Sequence, residues 1–216
     1  MKRLLSVICC LLSIAFAWAQ AENFAGKIIK LGSNATTLET GQWYVLYNGS
    51  TSSFVVEGAG NTLGLSTTSP NGTEAQANAG YLVQLEETGT AGQYYLKSGL
   101  GNYYANVTTV KNNGTSAEVA DKYAYTIAQL GSAGHWSLRS NGMYYLQSNG
   151  GKLVGAQSIG GAGTDRDWVF RQVTFTDLAD LTGTALVRYI LSSKNIVRLT
   201  NRRNTGVRLP TTARTL

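Results

Sequence analysis

The chain has 216 residues, 43% of them hydrophobic, and a formal net charge of +6 that is unevenly distributed. Residues 22–185 contain nine basic and twelve acidic side chains, whereas residues 186–216 contain seven basic side chains and no acidic one. This distribution excludes a uniformly basic surface of the kind that binds nucleic acid, so no nucleic-acid partner is expected.

Residues 1–21 have the pattern of a secretory signal peptide. Lys2 and Arg3 precede an apolar run, and the small residues Ala17, Ala19 and Ala21 allow cleavage after Ala19 or Ala21. The run is shorter than the roughly 20 apolar residues of a membrane span, so the mature chain is expected to have none. The pattern predicts export to the periplasm, the cell surface or the extracellular space.

Both cysteines of the chain, Cys9 and Cys10, lie inside this signal. The mature protein therefore has no disulfide, no thiolate nucleophile and no cysteine that could bind a metal. Residues 22–40 are interpreted as an N-terminal extension. The mature chain is long enough for one domain with a core of its own.

From residue 41 onwards, short runs of alternating apolar residues are separated by Gly, Asn and Ser, which is typical of antiparallel strands and predicts an all-β fold. Three segments begin alike, with Gly41-Gln42-Trp43, Gly92-Gln93-Tyr94 and Gly134-His135-Trp136. Each ends in a strand that opens on an aromatic residue, at Tyr81, Tyr125 and Trp168.

These segments define three repeats, over residues 41–87, 92–131 and 134–175, within a domain of residues 41–176. Four strands per repeat give twelve strands, which predicts a β-trefoil, a six-stranded barrel capped by three hairpins. A β-sandwich is the alternative. Alternation within the strands places two sets of side chains in the barrel interior or its floor: the aromatics Trp43, Tyr94 and Trp136, and the leucines Leu46, Leu96 and Leu138.

The segments "YYLKSGLGNYYANV" and "WSLRSNGMYYLQS" resemble the ricin-type β-trefoil lectin family. The resemblance implies a trefoil that binds sugars in shallow pockets, with up to one pocket per repeat, each pairing a polar side chain with an aromatic ring. The family's closing Gln-x-Trp motif is altered here, to Ala79-Gly80-Tyr81, Tyr123-Ala124-Tyr125 and Arg166-Asp167-Trp168. These changes weaken the sugar-binding expectation more than the fold.

A sugar site needs an exposed ring beside Asp, Asn or Gln side chains. Two stretches meet this need, since in each tyrosine pair one ring is expected to face inwards and the other outwards. The candidate residues are Asn102, Tyr104 and Asn106 in the second repeat, and Asn141, Tyr145, Asp165 and Asp167 in the third.

Catalysis has little support in this sequence. The single histidine, His135, is interpreted as a hairpin residue, and Asp165 and Asp167 as hydroxyl acceptors rather than a glycosidase pair. Glu86 and Glu87 are adjacent on a strand and must point to opposite faces. No metal-ligand cluster or cofactor motif is present, so neither a metal nor a cofactor is expected.

Beyond the repeats, residues 177–185 are interpreted as a linker. Residues 186–216 are either the start of a second, truncated β-domain or a basic tail, and the chain is expected to be the front part of a longer exported protein. The expected function is non-catalytic carbohydrate binding, with a glycan or cell-surface polysaccharide as partner. The alternatives are a structural or protein-binding trefoil without a sugar site, and an accessory module of a secreted hydrolase.

Overall fold

The computed structural model describes residues 22–107, 115–116, 122–140, 144–183 and 186–187. Thirteen strands lie in these ranges, together with 3₁₀ turns at Ala79–Tyr81 and Leu178–Asp180. The strands are β1 (Lys27–Asn34), β2 (Trp43–Asn48), β3 (Ser53–Gly58), β4 (Thr62–Ser66), β5 (Leu82–Glu87), β6 (Gln93–Ser98), β7 (Tyr103–Tyr104), β8 (Thr115–Ser116), β9 (Tyr125–Gln129), β10 (Trp136–Ser140), β11 (Tyr144–Asn149), β12 (Lys152–Ala156) and β13 (Val169–Asp177).

Strands β2 to β13 form three successive groups of four, as the repeats predicted. The glycine that opens each repeat, Gly41, Gly92 or Gly134, has a positive φ of 73 to 82°. That conformation suits glycine because it has no Cβ, which explains why each turn into a repeat begins with this residue. The prediction of three four-stranded units is confirmed.

The first and last strands of each repeat form a closed barrel. Strands β13, β2, β5, β6, β9 and β10 pair in that order, all antiparallel. A bridge between Trp136 and Trp168, with backbone hydrogen bonds of 2.8 and 2.9 Å, joins β10 to the β13 end and completes the ring. The middle strands pair as hairpins, β3 with β4, β7 with β8 and β11 with β12. This closed arrangement is the β-trefoil, not the alternative sandwich.

Cross-strand pairs show which positions of the repeats are equivalent. Tyr44 pairs with Val83, Tyr94 with Tyr125, and Trp136 with Trp168. Val83, not Tyr81, is therefore the first-repeat counterpart of Trp168. Likewise Tyr44, not Trp43, is the counterpart of Tyr94 and Trp136. The sequence alignment was wrong at both places. At Trp43 the reason is that the first repeat has one extra residue between its opening glycine and its core leucine.

The barrel core contains the residues that alternate inwards. Leu46, Leu96 and Leu138 are fully buried, as predicted. Tyr94 and Trp136 are partly buried and pack against the same core, while Trp43 packs instead against a second apolar cluster outside the barrel. The predicted core position of Trp43 is thus wrong, and the fully buried Tyr44 occupies it.

Residues 22–40 are an integral layer of the domain. Strand β1 pairs with β13 from Lys27 to Asn34. The loop between β4 and β5 covers the other edge of β1, where the Ile29 amide donates to the Thr73 carbonyl at 2.9 Å. Phe24 is 3% exposed and lies 5.3 Å, centroid to centroid, from both Trp43 and Phe175. A sheet edge that would otherwise be open is thereby paired and covered.

The predicted signal at residues 1–21 and nearly all of residues 186–216 lie outside the described residues. Within the part of the chain that is described, none of the helical segments has the length and apolar character that crossing a membrane requires.

Candidate functional site

The three hairpins present equivalent aromatic residues on their outer faces. Phe54, Tyr103 and Tyr145 pair with Tyr47, Lys97 and Arg139, each on the first strand of its repeat. Because the positions are equivalent, the surroundings of these three rings can be compared directly. They show which repeat leaves an aromatic ring open to a ligand.

In the first repeat the ring is covered. Phe54 is 5% exposed and belongs to the second apolar cluster. Its ring lies 4.8 Å from that of Tyr47 and 6.5 Å from that of Tyr81. Phe54 therefore serves packing and offers no surface to a sugar.

The second repeat covers its ring with a cation. The Nζ of Lys122 lies 4.0 Å from the centroid of Tyr103 and 3.3 Å from the carboxylate of Glu86, which also accepts a hydrogen bond from the Tyr103 hydroxyl at 2.9 Å. Burial alone would lower the pKa of Lys122, but its side-chain contacts with Tyr103 and Glu86 together outweigh burial and raise it. Tyr103 is left 7% exposed.

Tyr104 is not a sugar platform. It is 1% exposed, because it occupies the core position that Val55 and Leu146 fill in the other two hairpins. The expected alternation holds, because Tyr103 lies on the outer face, but the choice of Tyr104 as the outward ring is wrong. Both Tyr103 and Tyr104 are buried, the first under Lys122 and the second in the barrel core.

Asn102 belongs to a buried polar cluster around Glu57. Its Nδ2 donates to Glu57 Oε1 at 2.6 Å, and the hydroxyls of Ser98 and Thr115 also donate to this carboxylate, which is 4% exposed. A buried carboxylate is costly unless donors surround it, and three do so here. The interactions of Asn102 therefore tie the first repeat to the second, which is a structural role.

Asn106 has a similar structural partner. Its Oδ1 accepts a hydrogen bond of 2.6 Å from the Ser140 hydroxyl, which in turn accepts one from the Val107 amide at 3.1 Å. Ser140 is the third-repeat equivalent of Ser98, so the contact repeats the Glu57–Ser98 link one repeat further on. In the described part of the second repeat Tyr104 is therefore buried, while Asn102 and Asn106 are partly exposed and engaged in these structural hydrogen bonds.

The third repeat has an open arrangement of the kind the sequence predicted. Tyr145 is partly exposed, and the Arg139 guanidinium lies 5.4 Å from its ring centroid. Gln147 follows on the same face of β11 and donates to Asp165 at 2.7 Å, while the Nε of Arg166 donates to the other carboxylate oxygen at 3.2 Å. These five residues, Arg139, Tyr145, Gln147, Asp165 and Arg166, are called the third-repeat face below.

Asp167 lies away from this face. It is 4% exposed, and its Oδ2 is 2.6 Å from His135 Nδ1 and accepts a hydrogen bond from the Gly163 amide at 2.6 Å. Its predicted role as an exposed hydroxyl acceptor is therefore wrong, since its side chain holds the loop against the turn that contains His135. Asp165 is partly exposed, as a sugar contact must be.

Asn141, the remaining predicted residue, lies outside the described residues. Three members of the third-repeat face, Arg139, Gln147 and Arg166, were not among the candidates named from the sequence. The available signal was alternation, because Gln147 is two residues from Tyr145 and so shares its face. Arg139 could be found only once its pairing with Tyr145 was known.

Other features of the described residues do not compete with this face. No group of three or more His, Cys, Asp or Glu side chains gathers there to hold a metal ion. A shallow cleft of about 240 Å³ lies at the turn between β5 and β6, lined by Glu87, Thr90, Gln93 and Tyr94 among others. It contains none of the candidate sugar-binding residues that the sequence predicted.

No known family model matches the chain, and no curated protein matches it. Solved structures are similar to it in fold. A Polyporus squamosus lectin bound to the human-type influenza-binding epitope Neu5Acα2-6Galβ1-4GlcNAc matches 63% of this chain and 50% of its own, with 16% identity and a TM-score of 0.50. The match to the BEL β-trefoil covers 65% of this chain and 99% of the BEL chain, with 14% identity and a TM-score of 0.50. The match thus spans about half the length of the Polyporus squamosus lectin. The similarity supports the trefoil fold.

Proposed function

We propose that this protein is an exported, non-catalytic module that binds a glycan through the third-repeat face. One observation carries the proposal. Of three equivalent hairpin rings, Phe54 and Tyr103 are buried, whereas Tyr145 stays partly exposed. The pattern expected at residues 1–21 supports action outside the cytoplasm.

The chemistry of the face suits a sugar. A sugar ring presents an apolar face and a periphery of hydroxyls, which an aromatic ring and nearby carboxylate or amide groups can meet. Tyr145 supplies the aromatic surface, and Gln147 and Asp165 supply a donor and an acceptor beside it. Because these polar groups already bond to one another, their positions are fixed before a ligand arrives, which lowers the entropic cost of binding.

A solved structure of the same fold is a lectin bound to an oligosaccharide. At 16% identity this likeness concerns the fold alone. The proposal for this chain therefore depends on its own side chains.

The proposal is tested by screening the mature protein on a glycan array beside Tyr145→Ala and Asp165→Asn. Tyr144→Ala is the matched control, because Tyr144 is also a partly exposed tyrosine but points to the opposite side of β11. We expect wild type and Tyr144→Ala to bind the same glycans and Tyr145→Ala to lose at least about tenfold in affinity. Absence of binding by folded wild type would contradict the proposal.

A protein-binding role is the alternative outcome of that screen. The large apolar side chains that are exposed within the described residues are Leu100, Ile159 and Val187, which lie in three separate segments. A docking surface for a protein usually contains a contiguous apolar patch. These isolated side chains give that role less support than the third-repeat face gives to glycan binding.

A further inference from the structure

Arg139 is a partly buried cation that has no counter-ion among the described residues. Its Nε is buried and has no hydrogen-bond partner there, and no described carboxylate lies within ion-pair distance of its guanidinium. Its cross-strand neighbours, Thr126 and Tyr145, are uncharged. Buried donors and charges are normally paired, and among the described residues Arg171 is the other arginine with a buried, unpartnered Nε.

The two acids of the third repeat are already engaged. Asp165 accepts from Gln147 and Arg166, and Asp167 contacts His135 and the Gly163 amide. In the second repeat, by contrast, the cation over the equivalent ring does have its acid, since Lys122 lies 3.3 Å from Glu86. Each of the two repeats has an aromatic ring with a cation over it. In the second repeat that cation has an acidic partner, whereas in the third repeat it has none among the described residues.

We propose that Arg139 makes the third-repeat face selective for glycans that carry an anionic group, a carboxylate or a sulfate. This inference rests on the proposed glycan-binding function and adds the substrate class. The planar guanidinium can donate two parallel hydrogen bonds to either group, a geometry that a neutral hydroxyl cannot match. Tyr145 holds the guanidinium from one side, while the sugar that bears the anion reaches Gln147 and Asp165 with its hydroxyls.

The third-repeat face also limits where the anion can lie. Asp165 would repel it, whereas Arg166 already donates to Asp165 and, through its terminal nitrogen, to Ser158 at 2.8 Å. The end of the face near Arg139 is therefore its anion-accepting end, and the end near Asp165 accepts hydroxyl donors. A ligand of this class binds in one orientation, with its acid over Arg139.

The test uses matched glycan sets on the mature protein: sialyl and uronyl oligosaccharides, their carboxyl-reduced neutral counterparts, and sulfated counterparts. The variants are Arg139→Gln and Arg139→Lys. Arg171→Gln is the control, because the Arg171 guanidinium also lies over a tyrosine ring, 5.1 Å from the centroid of Tyr47, and has a buried, unpartnered Nε among the described residues. Thermal unfolding establishes that each variant is folded.

We expect wild type and Arg171→Gln to prefer at least one anionic glycan over its neutral counterpart by about tenfold or more. Arg139→Gln should reduce this ratio to about one while weak binding of the neutral sugar persists, and Arg139→Lys should retain part of it because the charge remains. Comparison of the carboxylated and the sulfated glycans identifies which anion is bound. A preference for either over the neutral counterpart supports the proposal.

Equal binding of anionic and neutral glycans by wild type would overturn this inference and leave glycan binding intact. A preference that survives in folded Arg139→Gln would also overturn it. If Arg139→Gln does not fold, Arg139→Lys decides alone, since an unchanged ratio in that variant excludes paired hydrogen bonds from a guanidinium. Binding of no glycan in any set would instead remove the proposed function itself.

Discussion

Two tyrosines meet inside the barrel with different hydrogen bonding. The rings of Tyr104 and Tyr125 lie 6.5 Å apart in an edge-to-face arrangement, and burial raises the pKa of both phenols. The Tyr125 hydroxyl donates to the Ala105 carbonyl at 2.5 Å. The Tyr104 hydroxyl has no partner among the described residues. A buried polar group without a partner is destabilising, so the two hydroxyls should contribute to stability with opposite signs.

We therefore expect Tyr104→Phe to change the free energy of unfolding by less than about 0.5 kcal/mol or to raise it, while Tyr125→Phe lowers it by about 1 to 2 kcal/mol. Urea unfolding of the two variants beside wild type measures both values. A loss above about 1 kcal/mol for Tyr104→Phe would mean that its hydroxyl has a partner.

Residue-scale sequence reasoning identified Tyr145 and Asp165 but misplaced Tyr104. The motif "NYY" in the second repeat looks equivalent to "MYY" in the third. The cross-strand pairs show, however, that Tyr104 is equivalent to Leu146 and not to Tyr145. A tyrosine is amphipathic enough to lie in a core or on a surface. Only the cross-strand register decides between them, and register depends on turn lengths that the local pattern does not specify.

At the scale of elements, the polar links between hairpins repeat around the barrel. Glu57 contacts Ser98, and Asn106 contacts Ser140. Ser148, the third equivalent, contacts Thr51 at 2.6 Å, and Thr51 donates to Asn48. Each link joins a residue on or just after the second strand of one repeat to the end of the first strand of the next repeat, in the third case through the turn residue Thr51. The trefoil is held together by this ring of buried polar contacts as well as by its core.

Strand β1 adds a second apolar cluster that the repeats alone do not have. Phe24 fixes the start of this layer between Trp43 and Phe175. No local pattern predicted this pairing, because β1 pairs with β13, which is more than 130 residues away in the chain. Strands and their number could be predicted from alternation and glycine turns, whereas a non-local pairing could not.

We expect Phe24→Ala to lower the free energy of unfolding by about 3 to 5 kcal/mol, because it opens a cavity between two aromatic rings. Lys30→Ala, at an exposed position on the adjoining strand β1, should change it by less than about 0.5 kcal/mol. Urea unfolding measures both. A loss below about 1 kcal/mol for Phe24→Ala would show that the N-terminal layer is not part of the cooperative unit.

On the scale of the whole molecule, a threefold fold has a single candidate site among its described residues. Repetition gives three equivalent hairpin rings, and the neighbours of each ring then decide its use. Phe54 is covered by an apolar layer and Tyr103 by Lys122, whereas Tyr145 stays partly open beside Arg139. The three repeats could be predicted from the sequence, but the loss of symmetry depends on residues from other repeats and layers.

The most direct test of this account is an NMR titration of the isotope-labelled mature protein with the strongest glycan from the array. We predict one binding site per chain, with chemical-shift changes centred on Arg139, Tyr145, Gln147, Asp165 and Arg166. Two or three sites per chain, or changes centred on Phe54 or Tyr103, would contradict the account.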